Sequence, residues 1–143
     1  MPESIFSFQY NDDQVQERLM RLQQKASDLT LPMNDIGQQQ MLSTDQRFVD
    51  EKDVQGKPWK PNSMYTTNQK RAAGQIQKIL QATGLMRSRT AYNASSDRVV
   101  ITNNDPKAAK HNYGVGVPKR QFLGVSEQDK LEIIAILDDH ILS

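Results

Sequence analysis

The sequence predicts an α+β fold: an N-terminal helical hairpin, a third helix, a small antiparallel sheet and a C-terminal helix. Three observations carry that prediction. Val15, Leu19, Leu22, Ala26 and Leu29 recur at four- and three-residue steps, which is one face of a helix. Two runs of strand character, 88–93 and 98–102, flank the turn signal Ala94-Ser95-Ser96-Asp97. Near the end, Ser126 and Asp129 stand at capping-box spacing ahead of Leu131, Ile134, Leu137 and Ile141.

The elements follow in order. Residues 1–10 lack a helical period and are predicted as an arm or a strand, and helix one begins near Asn11. Thr30-Leu31-Pro32 breaks the chain and restarts it, since threonine can cap and proline is tolerated in a first turn. Met33, Gly37, Met41, Thr44 and Phe48 give the second helix a weaker stripe. Two helices joined so tightly are expected to form a hairpin. Asp50 to Ser63 reads as a loop holding the only tryptophan. Lys57 and Lys60 each precede a proline and are pushed toward extended backbone, so Trp59 stands on a stiff frame. Its indole either packs down as a lid on the helices or docks into a neighbour, and tryptophan burial favours the lid.

Helix three is expected from Thr66 or Thr67 to Thr83, burying Ala72, Ala73, Ile76, Ile79 and Leu80, with Gly84 as its C-cap. In the β-hairpin, Arg87 and Arg89 share a face of the first strand, and Val99 and Ile101 a face of the return. Asn103-Asn104-Asp105-Pro106 turns into one helical segment, Lys107 to Tyr113, ended by Gly114. Val117 to Leu123 reads as a short apolar strand that Pro118 suits at its start or edge, stopped by Gly124.

The 143 residues fit one domain, 1–143, with a thin core: hydrophobic residues are 36% and aromatics 6%. A thin core suits an extended element or burial against other subunits. The absence of cysteine excludes disulfides, thiolate metal sites and a cysteine nucleophile. No run approaches a membrane span, and the first residues lack the basic start and apolar stretch of a signal peptide. Net charge of +1 hides a division. Residues 1–55 hold 5 basic and 10 acidic groups, residues 56–124 hold 12 and 2, and residues 125–143 hold 1 and 5. The basic middle either faces nucleic acid or meets the acidic ends across an interface, unless folding mixes the charges evenly.

No reaction centre is predicted: no catalytic residue, metal ligand or cofactor site. His111 and His140 have no metal-ligand spacing, and no Gly-x-Ser-x-Gly is present. Gly114-Val115-Gly116 lacks the third glycine of a dinucleotide loop and the surrounding βαβ pattern. Asp12-Asp13 suits a helix N-terminus, whereas Asp138-Asp139 at a helix end calls for a basic partner. Nucleic-acid contact is harder to dismiss. Tyr92, Tyr113 and Phe122 interleave with basic residues, as in single-strand binding by stacking, though no known nucleic-acid module is present.

Several blocks, in this order, resemble the phage virion-morphogenesis family, also called tail-completion proteins, of Mu-like and contractile-tailed phages. They are Leu29-Thr30-Leu31-Pro32-Met33 with Ile36-Gly37, and Phe48 before Gly56-x-x-Trp59-x-Pro61 with Thr66 and Lys70. Then come Ile79-Leu80-Gln81-Ala82-Thr83-Gly84-Leu85 and Ala108-Ala109-Lys110-His111-Asn112-Tyr113-Gly114. Last is Pro118-x-Arg120-x-Phe122-Leu123-Gly124 with Ser126 and Asp129. Lys107 stands where an aromatic is usual, and Gln121 where proline is common. The resemblance covers nearly all of the chain after Tyr10. It implies a non-enzymatic structural protein of the virion neck or head-proximal tail end, built in the host cytoplasm, that completes the tail and helps head–tail joining. It also implies a ring of copies, commonly sixfold, against neck, tail-terminator or tail-tube proteins. Candidate contacts are Arg87, Arg89, Lys119 and Arg120 on the basic side, and Glu127, Glu132, Asp138 and Asp139 on the acidic side. Trp59, Tyr113 and Phe122 are the apolar candidates. The alternatives are a DNA-binding or packaging accessory protein, close to packaged DNA without reading its sequence, and a head-assembly factor. No membrane partner is expected.

Overall fold

The computed structural model describes residues 6–7, 10–75, 78–81 and 85–143. Their order is β1 (Phe6–Ser7), α1 (Asp13–Lys25), α2 (Thr30–Asp50), α3 (Met64–Ala72), α4 (Leu85–Ser88), β2 (Thr90–Ala94), β3 (Val99–Asn103), α5 (Ala108–Tyr113) and α6 (Glu127–Leu142). The α+β class holds.

α1, α2 and α6 form one helical layer, and their polar cross-links set its directions. Asp12 caps α1 by accepting from Gln14 N and Val15 N, and its other oxygen meets Lys130 at the start of α6. Arg18 reaches Asp138, and Lys25 donates to the Ile141 carbonyl at the far end of α6. α1 therefore runs parallel to α6. On α2 the order is reversed: Asp35 meets His140 near the end of α6, whereas Ser43 meets Asp129 near its start. The first two helices are thus antiparallel to each other and share α6 as a third wall. Val15, Leu22, Leu29, Met33, Ile36, Ile133 and Leu137 fill the space between them. Thr30 is the first residue of α2 rather than its cap. The Asp28 carboxylate accepts from its backbone N–H, a task the sequence pattern assigned to the threonine.

The sheet has the order β1-β3-β2 and is antiparallel, with Thr90 opposite Asn103 and Ala94 opposite Val99. It lies on α2, where Gly37 makes room: a Cβ there would sit 2.2 Å from the Tyr92 ring. The Tyr92 hydroxyl then donates to Asn34 Oδ1 at 2.8 Å. A second core centres on Phe48 and Phe122, both fully buried, with Trp59, Ile101 and Leu123. α2 enters both cores and so joins helices to sheet.

Four expectations change. The third helix ends at Ala72, and Ala72 and Ala73 are exposed. Gly74 turns the chain with φ of +66°, so the apolar period past it belongs to a different segment. Ile76 and Gly84 lie outside the described residues. Arg87 is helical in α4 and Arg89 is in a turn, because the first strand begins only at Thr90. Segment 117–123 forms no strand: Arg120 N donates to the His111 carbonyl, and side chains rather than a neighbouring strand bond residues 121–123. Finally, Ile133 and Leu137 form the buried face of α6, and Leu131 points to solvent.

Candidate interaction surface

The C-terminal segment is held in place by a set of buried polar groups. Asn112, on α5, accepts from both Phe122 N and Leu123 N, at 2.9 and 3.0 Å. The Trp59 indole donates to the Gln121 carbonyl at 3.0 Å, and Arg120 N donates to the His111 carbonyl. Arg47, from α2, donates to the Phe122 carbonyl at 2.9 Å. Its other terminal nitrogen pairs with the Asp129 carboxylate, and both side chains are buried. Asp129 also completes the capping box with Ser126 and accepts from Ser43 and Gln39. Burial opposes ionisation of Asp129, but Ser126 N–H, Ser43 and the Arg47 charge together hold its carboxyl below the usual range. Burial likewise lowers Arg47, and Asp129 opposes the change.

This latch separates two surfaces of opposite charge, on either side of the 51–63 loop. One is a groove of about 970 Å³ between α2, the loop and the start of α6. Asp50, Asp53, Glu127 and Glu132 line it, with Lys52 and the Arg47–Asp129 pair. Leu42 also lines it and is 75% exposed. The other is a cleft of about 540 Å³ beyond Lys60 and Pro61, carrying Lys70, Lys107, His111 and Arg120.

The sequence-predicted contact residues separate into three groups. Trp59, Arg120 and Phe122 are interior. Trp59 packs edge-on to Phe48 as a lid, and Phe122 packs against the same ring at 5.2 Å. Arg120 donates to the Lys60 and Pro61 carbonyls at 2.8 and 3.2 Å and thereby fixes the loop from inside. Those three are corrected from surface contacts to packing residues. Arg87, Arg89 and Asp138 already have partners within the chain: Asp45 for Arg87, Asp105 for Arg89 and Arg18 for Asp138. The hydrogen bonds that Arg87 donates to Asp45 raise its pKa above the ordinary value. Arg18 is the basic group that Asp138 called for. The third group stays exposed: Tyr113, Lys119, Glu127, Glu132 and Asp139. Lys119 is held against the Gly114 turn, where a Cβ would meet its own Cβ at 2.7 Å. Tyr113, Val115 and Lys119 therefore project from one turn.

Residues 10–142 match the model of the phage virion morphogenesis family. The chain belongs to that family. Comparison with curated proteins and with solved structures gives no significant match. Family membership gives the chain a structural part in assembling a bacteriophage virion. Among the described residues no helix is long and apolar enough to cross a membrane, and no cluster of three His, Asp or Glu is placed to hold a metal ion. The sequence of this morphogenesis protein named Lys70 only within the family pattern and gave no role to Arg47 or Leu42. Arg47 had a signal: it adjoins Phe48 on the second-helix stripe, and a charge at a core position implies a buried partner. Leu42 lies off that stripe, which was the signal for its exposure.

Proposed function

We propose that this protein is a non-enzymatic component of the phage neck or head-proximal tail end, where copies join head to tail into a ring that helps unite head and tail. The turn bearing Tyr113, Val115 and Lys119 of one copy enters the groove lined by Leu42, Glu127 and Glu132 of the next. The observation that carries the reading is the placement of basic-apolar and acidic-apolar features on different surfaces of one chain. A self-complementary patch would favour an isologous dimer, whereas two different complementary patches favour a heterologous contact, which forms a ring when its rotation closes. Family membership supports the assembly role.

Arg120 is the wrong residue to reverse, since its side chain supports the Trp59 loop. Lys119→Glu is the better test, because Lys119 is exposed and forms no ion pair among the described residues. The variant is expected to fold as the wild type, while complementation of a phage lacking the protein gives unjoined heads and tails. Pairing it with Glu132→Lys is expected to restore part of the yield. Normal infectious particles from Lys119→Glu alone would count against the contact.

A further inference from the structure

The cleft beyond the 51–63 loop carries an excess of positive charge. Lys70 and Arg120 are both more than nine-tenths buried, at 7% and 8% exposure. Buried cations ordinarily have a carboxylate partner. Among the described residues neither Lys70 nor Arg120 has one in ion-pair contact. Lys70 donates to the Lys78 carbonyl at 2.9 Å, which uses one of its three hydrogens. Arg120 uses two of its five on the Lys60 and Pro61 carbonyls. Lys60 and Lys107 add two further charges to the lining. Among the described residues the only carboxylate that lines the cleft, Asp105, is already engaged by Arg89 at 3.6 Å. Ser63 and Thr66 bring hydroxyls to the same wall.

We propose that this cleft is a binding site for a phosphate group, with Lys70 and Arg120 as its floor and Lys60 and Lys107 as its rim. The charge count selects the ligand class. One carboxylate would leave most of the four cations uncompensated, whereas a phosphate dianion or successive phosphodiesters supply more charge and more acceptor oxygens. Among the described residues no Phe, Tyr or Trp lines the cleft and His111 is its one aromatic ring, so it offers little platform for stacking a base. A nucleic acid would be held there by its backbone. The proposal does not depend on ring formation, because Lys119 and the acidic groove lie outside the cleft.

The test uses the full chain in thermal unfolding, with inorganic phosphate against chloride at matched ionic strength. A saturable rise in Tm specific to phosphate is expected. Lys107→Glu and, separately, Lys60→Glu should weaken it roughly tenfold to a hundredfold, the size of one charge-assisted hydrogen bond. Lys119→Glu should leave it unchanged. Oligonucleotides then separate the sources. Salt-sensitive DNA binding lost in Lys107→Glu identifies a backbone phosphate, and a phosphate effect with no DNA binding identifies a free one. The proposal fails if phosphate and chloride give the same curve, or if both rim variants bind phosphate as the wild type does. It also fails if a glutamate-rich peptide occupies the cleft in preference to phosphate.

Discussion

Among the described residues two sites hold buried cations, and they are built in different ways. Arg47 sits against Asp129, and that carboxylate is further held by Ser126, Ser43 and Gln39. Among the described residues Lys70 and Arg120 sit against carbonyl oxygens alone. The first site is internally complete and joins α2, the C-terminal segment and α6. The second retains uncompensated positive charge and opens into a cleft. A buried charge with its partner supplied by the chain is an architectural device, whereas one left without a partner is prepared for something the chain does not contain.

The sharpest way to break the comparison is to remove one partner from the complete site. Asp129→Ala leaves the Arg47 guanidinium buried without its carboxylate and is expected to cost about 3–5 kcal/mol in urea unfolding. Lys70→Met keeps the side-chain length and removes a charge that burial already disfavours, lowering its pKa. It is expected to lie within about 1 kcal/mol of the wild type or to stabilise. Equal losses in the two variants would erase the distinction.

Acid titration sharpens it at smaller amplitude. The folded pKa of Asp129 is below its unfolded value, so the unfolded chain binds more protons as pH falls. Its contribution is complete above about 3.9, the ordinary aspartate value, and is lost as pH drops through the folded value. His111 has the same sign by another cause. Burial, then the charges of Arg120, Lys110 and Lys107, lower its pKa, so protonation opposes the fold. Stability is therefore expected to decline first below about pH 6.5, the ordinary histidine value, and again in the aspartate range. His111→Gln should remove the upper step and Asp129→Asn should flatten the lower one. A flat profile from pH 7 to 5 in the wild type would contradict the His111 assignment.

Much of this fold was legible in the sequence because local chemistry and tertiary structure agree there. The Ser126–Asp129 capping box, the Gly114 stop and the Trp59 lid are decided by neighbours in the chain or by one residue's strong preference. Segment 117–123 misled for the opposite reason. Its apolar ends and Pro118 suit a strand, but Asn112, ten residues back, and Trp59 and Arg47, remote in sequence, bond its backbone through their side chains. The same remoteness hid the surroundings of Arg120. Arg120 reads as a surface charge beside Lys119 until the carbonyls of Lys60 and Pro61 close over it. Charge counted along the chain marks residues 56–124 as rich in basic groups. It could not separate Lys119, which faces solvent, from Arg120, which does not.

Imaging of phage particles that carry this protein by electron cryo-microscopy tests the assembly role most directly. The account predicts density for this chain as a closed ring at the head–tail junction, with Lys119 of each copy in the Glu127–Glu132 groove of the next. Complete particles with no copy at that junction would contradict it.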